Sequence, residues 1–289
     1  MIELDSVSRE APILIAGPTA SGKSALAMEL AARDGRVVVN ADALQVYGCW
    51  RVLTARPTAA EAAALPHALY GHVGRDQDYS VGHWLREVSA LLDRKLVIVG
   101  GTGLNFAALT GGLAGIPAVP AQVRAEADAL RLAGGVAALV AGLDGETAAR
   151  IDLNNPMRVQ RAWEVLRATG RGLARWQADT GPPMLPLAGV AALVLRPSTA
   201  WLDARIAQRF AAMVEDGALA EVAAARPFWA PPAAWTRAIG APELLAHLEG
   251  RLTLEQATAA AVLASRQYAK RQRTWFRSRM AGWHEIVPG

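Results

Sequence analysis

The sequence predicts an α/β fold in which a parallel sheet is flanked by helices and a helical subdomain is inserted into the chain. A glycine-rich loop joins a short apolar run to a stretch of strong helix formers near the N-terminus. Further short apolar runs alternate with helical patterns, which is typical of βα units and a parallel sheet. A mostly helical segment in the middle of the chain is flanked by stretches rich in glycine and proline. We therefore expect a core domain of residues 1–112 and 187–289 and a helical insert of residues 113–186.

The glycine-rich loop has the pattern G-x-x-x-x-G-K-S, completed by Gly17, Gly22, Lys23 and Ser24. Its glycines let backbone N–H groups point at phosphate oxygens, Lys23 adds a positive charge, and the Ser24 hydroxyl can hold Mg²⁺. Residues 13–16 suit a buried strand, and the following helix presents its N-terminus to an anion. The pattern predicts a phosphate-binding loop in a P-loop NTPase-like fold, a type common in nucleotide-binding and ATP-binding proteins. The residues expected to bind the phosphate ligand are Gly17, Pro18, Thr19, Ala20, Ser21, Gly22, Lys23 and Ser24, with Ser24 also binding the metal.

Composition limits the class of protein. The chain of 289 residues has no run of 18 apolar residues and no signal-peptide layout, so we expect a soluble cytoplasmic protein. The single cysteine, Cys49, excludes an internal disulfide and a cysteine-rich zinc site. A net charge of +4 permits a nucleic-acid partner without requiring one. Of the three lysines, one is Lys23 in the phosphate loop.

A second strand is predicted over residues 36–40, and Asp42 follows it. Because ligands of open α/β sheets bind outside the carboxyl ends of the strands, Asp42 is expected near whatever Lys23 holds. As a general base it would accept a proton from an amine or a hydroxyl. The alternatives are that it caps the next turn or holds a metal-bound water.

A third strand over residues 96–99 runs into Gly100, Gly101 and Thr102. In ATP-hydrolysing motors the corresponding strand ends in an aspartate that holds Mg²⁺ through water. Here the strand ends in two glycines, which let the backbone approach a ligand closely. Thr102 offers a hydroxyl to a phosphate or a base. The guanine-reading pattern Asn-Lys-x-Asp is absent from the sequence, so a GTPase switch is not expected.

Helical patterns fill the intervals between these strands. Thr58 and Glu61 have the spacing of a capping box, and residues 78–80 open an amphipathic helix with Trp84 and Val88 on its apolar face.

The insert begins after the breaker-rich segment around residues 111–120. Its predicted helices span residues 121–133, 136–143 and 156–169. Asn155 is the expected N-cap of the third helix and Pro156 its first residue. Arg158 and Arg161 share one side of that helix, with Arg124 available on the first helix, which indicates either a polyanion-binding surface or an ordinary solvated face.

The chain rejoins the sheet through a fourth strand over residues 190–195, followed by a helix over residues 199–216 with Gly217 as its C-cap. The last helix is predicted over residues 254–279. One face of it is basic through Arg266, Lys270, Arg273 and Arg277. Contact with nucleic acid or a diphosphate and simple solvation are both compatible with such a face.

Motifs along nearly the whole chain resemble those of the bacterial tRNA dimethylallyltransferases, the tRNA isopentenyltransferase (IPP transferase) family. The matching segments of the first half are residues 17–24, Asp42 with 45–47, 54–57, 66–67, 79–80 and 100–104. Those of the second half are residues 155–161, Arg266, 269–272 and 274–277. The resemblance implies a P-loop fold, a cytoplasmic monomer, and two substrates, dimethylallyl diphosphate and the anticodon stem-loop of tRNA.

The reaction implied by the resemblance transfers a dimethylallyl group from its diphosphate to the exocyclic N6 of adenosine 37, next to the anticodon, with Mg²⁺ present. Lys23 and the loop amides would stabilise the departing diphosphate, with help from a cation of the last helix. Asp42 resembles the general base and Thr102 the residue that contacts the target base. Because a stacked adenine is out of reach, the base would be flipped out of the loop.

Matching positions imply a set of tRNA contacts. These are Asp42, Ala43, Leu44, Gln45, Thr102, Arg124, Met157, Arg158, Val159, Gln160, Arg161 and Arg237. The chain departs from the family pattern at Ala43, at residues 50–53, at Gly71, at Asn105 and at residues 240–243. None of these departures touches Lys23 or the catalytic positions.

Two other classes of function share some of these features. A P-loop kinase for a small molecule or a nucleotide would have the same loop and sheet, and it would consume ATP. A non-catalytic RNA-binding regulator would bind RNA without consuming an allylic diphosphate, but Asp42 at a strand end and the absent switch motifs speak against it.

Overall fold

The computed structural model describes residues 7–288. Two compact units divide the chain, and the first combines Met1–Thr110 with Leu185–Gly289. The second unit is Gly111–Met184. These boundaries differ by two residues from the predicted ones.

The first unit is built on a parallel sheet, as predicted. Its strands are β1 (Ile13–Ala16), β2 (Val37–Asn40), β3 (His67–Ala68), β4 (Leu96–Gly100), β5 (Ala191–Leu195) and β6 (His284–Ile286). Within residues 7–288 they form a six-stranded sheet in the order β3-β2-β4-β1-β5-β6, and every neighbouring pair is parallel. The two outermost strands, β3 and β6, were not predicted.

The helices lie between and after the strands. They are α1 (Lys23–Asp34), α2 (Ala59–Ala64), α3 (Val81–Ser89), α4 (Gly103–Gly111), α5 (Ala121–Ala141), α6 (Gly145–Arg150), α7 (Pro156–Thr169), α8 (Leu173–Ala178), α9 (Thr199–Glu215), α10 (Ala218–Ala225), α11 (Ala241–Leu248) and α12 (Leu254–Arg279). No helix within residues 7–288 is long and apolar enough to cross a membrane.

Local sequence signals explain several helix ends. The Thr58 hydroxyl accepts a hydrogen bond from the Glu61 N–H, and the Glu61 carboxylate accepts one from the Thr58 N–H. The predicted capping box is therefore confirmed. Asn155 caps α7 through the Arg158 N–H, with Pro156 first in the helix, also as predicted. At α9 the C-cap is Asp216 rather than Gly217, and Gly217 follows with φ 99°.

In the second unit, α5 contains a break at Gly135, whose φ of 66° and ψ of −167° interrupt the helix. The two helices predicted for this region meet at that residue. Ala127, Leu139 and Val159 are fully buried together in the core of the unit. Val159 therefore cannot present its side chain to tRNA, and the prediction that it does was wrong.

Candidate active site

The predicted site residues of the first unit lie at one edge of the sheet. The phosphate loop follows β1, Asp42 follows β2, and Thr102 follows β4. Because β4 is hydrogen-bonded to both β1 and β2, these three strand ends are adjacent. Gly100 is required there, since a Cβ on it would lie 2.2 Å from the Ala41 carbonyl.

The phosphate loop presents polar groups without internal partners. Gly22 adopts φ 87° at the N-cap of α1, and no side chain within residues 7–288 caps that helix end. The Ser21 hydroxyl is buried and has no hydrogen-bond partner within the same residues. A buried polar atom without a partner costs about 1–3 kcal/mol, so this loop is suited to an anion that supplies the missing bonds.

Lys23 lies buried at the start of α1, with 8% of its surface exposed. Its ammonium group donates to the Pro18 carbonyl at 3.4 Å, a long hydrogen bond. The pKa of Lys23 is lowered to about 8, mainly by burial and also by the positive charge of Arg209, while the negative charge of Asp42 opposes the shift. An arriving anion would restore the preference for the charged form.

Two arginines of α9 lie against the phosphate loop. Arg205 donates to the Ala20 carbonyl at 3.2 Å, and Arg209 donates to the Thr19 hydroxyl at 3.3 Å. Neither arginine was predicted as a site residue, because the prediction for α9 rested on its apolar stripe alone. Their spacing of four residues, which places both side chains on the same side of the helix, was the available signal.

Two of the basic residues of the last helix, α12, form hydrogen bonds with α9 or its start rather than with the phosphate loop. Arg266 donates to the Asp203 carbonyl at 3.4 Å, and Arg273 donates to the Thr199 hydroxyl at 2.5 Å. Assistance to a diphosphate from this helix stays a prediction, and α9 supplies the two arginines that contact the loop.

A cleft of about 720 Å³ opens beside the phosphate loop. Its cationic lining residues are Lys23, Arg51, Arg56, Arg205 and Arg209, and its carboxylates are Glu61 and Asp216. An adjoining pocket of about 90 Å³ has an apolar part formed by Leu44, Leu53, Ile206, Phe210, Met213 and Ile239. Both cavities reach Lys23, and the pocket also reaches Asp42 and Tyr268. The cationic cleft is therefore continuous with the apolar part of the pocket.

Asp42 is held by its neighbours on β2 and in the following turn. Its N–H donates to the Asn40 side chain at 2.8 Å, and its Oδ1 accepts the Leu44 N–H at 3.0 Å. One carboxylate oxygen thus caps the turn, which was one of the alternatives left open. The other, Oδ2, faces Gly101, 3.2 Å from where a Cβ on that glycine would lie.

Thr102 and Tyr268 form the neutral side of the site. The Thr102 hydroxyl accepts the Ala43 N–H at 3.0 Å and lies beside the Tyr268 phenol. Burial raises the pKa of Tyr268, and the charge of Asp42 raises it further, so the phenol stays protonated. Tyr268 lies on α12 and was not predicted as a site residue.

The segment after Asp42 forms one wall of the cleft and is fixed by two side chains. Gln45 donates to the Thr54 carbonyl at 2.7 Å. The Glu221 carboxylate accepts the N–H groups of Arg51, of Val52 at 3.0 Å and of Leu53 at 3.0 Å.

Comparison with known proteins agrees with this geometry. Residues 45–279 match the family model described as IPP transferase, and residues 11–68 match the model described as Isopentenyl transferase. The chain belongs to the IPP transferase family.

Named relatives of this IPP transferase cover almost its full length. A protein of Cereibacter sphaeroides named tRNA dimethylallyltransferase is 67% identical over 286 residues, covering 98% of this chain and 91% of the relative. The crystal structure of full-length tRNA isopentenylpyrophosphate transferase from Bacillus halodurans is 30% identical, with a TM-score of 0.66, covering 96% of this chain and 90% of that one. A eukaryotic dimethylallyltransferase acting on tRNA shares the fold, with a TM-score of 0.79 at 24% identity, covering 96% of this chain and 74% of that one.

The remaining predicted tRNA contacts of this IPP transferase lie on both units. Arg237 is exposed in the first unit and donates to the Pro232 carbonyl at 3.4 Å. In the second unit Met157, Arg158 and Arg161 are exposed on α7, as is Arg124 on α5. Gln160 of α7 is half-buried and donates to Asp128 and to Glu164.

Proposed function

We propose that this IPP transferase moves a dimethylallyl group from dimethylallyl diphosphate to the exocyclic N6 of adenosine 37 in tRNA, next to the anticodon, and releases diphosphate. The observation that carries the proposal is the continuity between a cationic cleft at the phosphate loop and an apolar pocket that ends at Asp42. Transfer of an allylic group needs this combination. An adjacent carboxylate is also needed to take the proton of the accepting amine.

The diphosphate fits the phosphate loop chemically. The unpartnered Ser21 hydroxyl and the amides at the start of α1 would donate to its oxygens, while Lys23, Arg205 and Arg209 would balance its charge. The exposed Ser24 hydroxyl would serve as one ligand of Mg²⁺ shared with the diphosphate. When bound, the metal supplies charge neutralisation to the leaving group.

The five-carbon group would lie in the apolar pocket between Leu53, Ile206 and Phe210, away from water. The N6 nitrogen attacks the allylic carbon, forming the N–C bond as the C–O bond to diphosphate breaks. Asp42 Oδ2 accepts the proton that the nitrogen loses. Thr102 and Tyr268 would hold the base by hydrogen bonds so that its amine faces the pocket.

The tRNA is proposed to bind through exposed arginines and through the strand ends. Arg124, Arg158 and Arg161 of the second unit would contact its phosphates, and residues 42–45 with Arg237 would contact the flipped base and its neighbours. Val159 is not part of this surface. We further propose that the enzyme acts as a cytoplasmic monomer.

Transfer of radiolabelled dimethylallyl from its diphosphate to an unmodified tRNA with adenosine at position 37 tests the proposal. The matched substrate is the same tRNA with guanosine at that position, and ATP is offered in a separate reaction with Mg²⁺. Label is expected on the adenosine tRNA alone. Consumption of ATP without label transfer would instead support the kinase.

A further inference from the structure

Gln272 is a buried amide on the otherwise basic C-terminal half of α12. Only 5% of its surface is exposed, although residues 270, 271 and 273 beside it are cationic. Gln272 belongs to the motif at residues 269–272, from which no role was predicted for it. Burial of an amide that has four hydrogen-bonding positions is costly unless it is satisfied, so its partners identify what it does.

The two ends of the Gln272 amide bind two different loops of the site. Its Oε1 accepts the Thr19 N–H of the phosphate loop at 2.9 Å. Its Nε2 donates to the Gly101 carbonyl, at the end of β4, at 2.9 Å. Because one partner is a donor and the other an acceptor, the amide has a single satisfied orientation.

Gln272 also lies close to Tyr268, which is proposed to hold the base. Tyr268, one turn earlier on α12, lies beside Gln272 and Thr102, which both lower the pKa of its phenol. A Cβ on Gly101 would lie 2.3 Å from Gln272 Nε2, so the backbone of the β4 loop lies directly against the amide. Gln272 therefore contacts the diphosphate side of the site through Thr19 and its base side through Gly101 and Tyr268.

We propose that Gln272 is a positioning residue that fixes the distance between the phosphate loop and the base-holding loop. The inference rests on the proposed function, in which the phosphate loop binds the leaving diphosphate and the loop after β4 lies beside the adenine whose amine attacks. These groups must lie in line on either side of the allylic carbon, and a displacement of about 1 Å can cost on the order of 10²-fold in rate. Each loop keeps its own binding groups when Gln272 is replaced. The substitution should therefore change the alignment of the two substrates and leave the affinity for each of them unchanged.

The first variant is Gln272→Met, which keeps the length of the side chain and removes both hydrogen bonds. We expect kcat to fall by about 10- to 100-fold, while the Kd for inorganic diphosphate and the KM for tRNA change by less than about threefold. Gln267→Met is the matched control, since Gln267 is exposed on the same helix. Diphosphate-binding stoichiometry, measured by calorimetry, reports the fraction of folded sites and corrects kcat for any loss of folded enzyme.

The second variant is Gln272→Glu, which has the same shape. Ionised, the new carboxylate accepts from Thr19 but cannot donate to Gly101, whereas the protonated carboxyl does both. Burial raises the pKa of such a carboxyl. The ratio of kcat between this variant and the wild type should therefore rise several-fold as pH falls from about 8 to about 5.5, while the same ratio for Gln272→Met stays flat.

Three results would overturn the inference. One is a diphosphate Kd that rises in proportion to the loss of kcat, since Gln272 would then contribute to binding. Another is a kcat unchanged in Gln272→Met. The third is a kcat ratio for Gln272→Glu that does not change with pH. Failure of the wild type to transfer label would overturn the proposed function instead, so the two failures are distinguishable.

Discussion

The phosphate loop after β1 and the loop at Gly100–Thr102 after β4 follow adjacent strands and are both rich in glycine, yet their surroundings differ in charge. Buried Lys23 and the two arginines of α9 face the first. The second carries the neutral hydroxyl of Thr102 and lies beside Asp42 and the phenol of Tyr268. The difference shows that glycine supplies only close approach of the backbone. The chemistry of each loop comes from its own polar side chain, Lys23 or Thr102, together with side chains from distant parts of the chain.

If the first loop handles the leaving group and the second the attacking amine, substitutions around them should have separable effects. Changes at the cationic loop should alter the interaction with diphosphate, and changes at the neutral loop should alter the step in which the amine loses its proton.

The largest effect is expected for Asp42→Asn. The amide oxygen can still accept the Leu44 N–H, so the turn is kept, but the base is lost and kcat should fall by about 10²- to 10⁴-fold. The Kd for inorganic diphosphate should stay close to that of the wild type. Single-turnover label transfer and calorimetry measure the two quantities, and a variant that keeps most of its kcat would show that Asp42 is not the base.

The next effect is expected for Lys23→Met, which should lower kcat/KM for dimethylallyl diphosphate by about 10²-fold through lost charge stabilisation. The KM for tRNA should not change. Because a charged lysine is held in a buried position at neutral pH, its removal should also raise the unfolding temperature. A thermal melt beside the kinetic assay tests both statements, and loss of tRNA affinity in this variant would contradict the separation of the two loops.

A smaller, pH-dependent effect follows from the lowered pKa of Lys23, about 8. Below this pH the lysine is charged, and above it the proton is lost, so diphosphate affinity should fall as pH rises through about 8. Lys23→Arg should remove this dependence, since arginine stays charged. In Asp42→Asn the midpoint should move to lower pH, because the Asp42 charge raises the pKa of Lys23. Calorimetric titration of diphosphate at a series of pH values measures the midpoint, and identical curves for all three proteins would refute the assignment.

The smallest effect is expected for Glu221→Gln. The carboxylate that accepts three backbone N–H groups of residues 51–53 fixes the wall of the cleft, and hydrogen bonds to a charged group contribute about 1.5–3 kcal/mol. We expect the KM for dimethylallyl diphosphate to rise by roughly three- to tenfold with kcat nearly unchanged. Glu215→Gln, exposed at the end of α9, is the control. An equal rise of KM in both variants would mean that it results from the loss of a negative charge and not from the loss of the hydrogen bonds of Glu221.

Patterns of residues that are adjacent in the sequence predicted much of the fold and about half of the candidate site. The phosphate loop is one short pattern between a buried strand and a helix, and α12 was predicted with the bounds that the structure has, Leu254–Arg279. Strand β3 is only two residues long, too short to show alternation, and β6 has two exposed residues and one half-buried residue, so it lacks an apolar run.

Features that depend on packing between distant segments were not predictable in this way. Arg209, Gln272 and Glu221 each act on a loop more than 160 residues earlier in the chain, a pairing that no local pattern carries. The wrong prediction at Val159 has a simple physical cause. A continuous stretch of helix faces all directions, so residues 157–161 cannot all face one ligand.

The position of β5 in the sheet has a consequence for how the protein is made. Ile13 of β1 pairs with Ala191 of β5, and the arginines and the glutamine that complete the phosphate loop come later still. At the usual speed of translation, on the order of ten seconds or more separate the synthesis of these segments, and during that time one edge of β1 is open to pairing with another chain. A nascent chain thus carries the full phosphate-loop motif long before it can become an enzyme. Binding competence and the protected sheet arise together, late in synthesis.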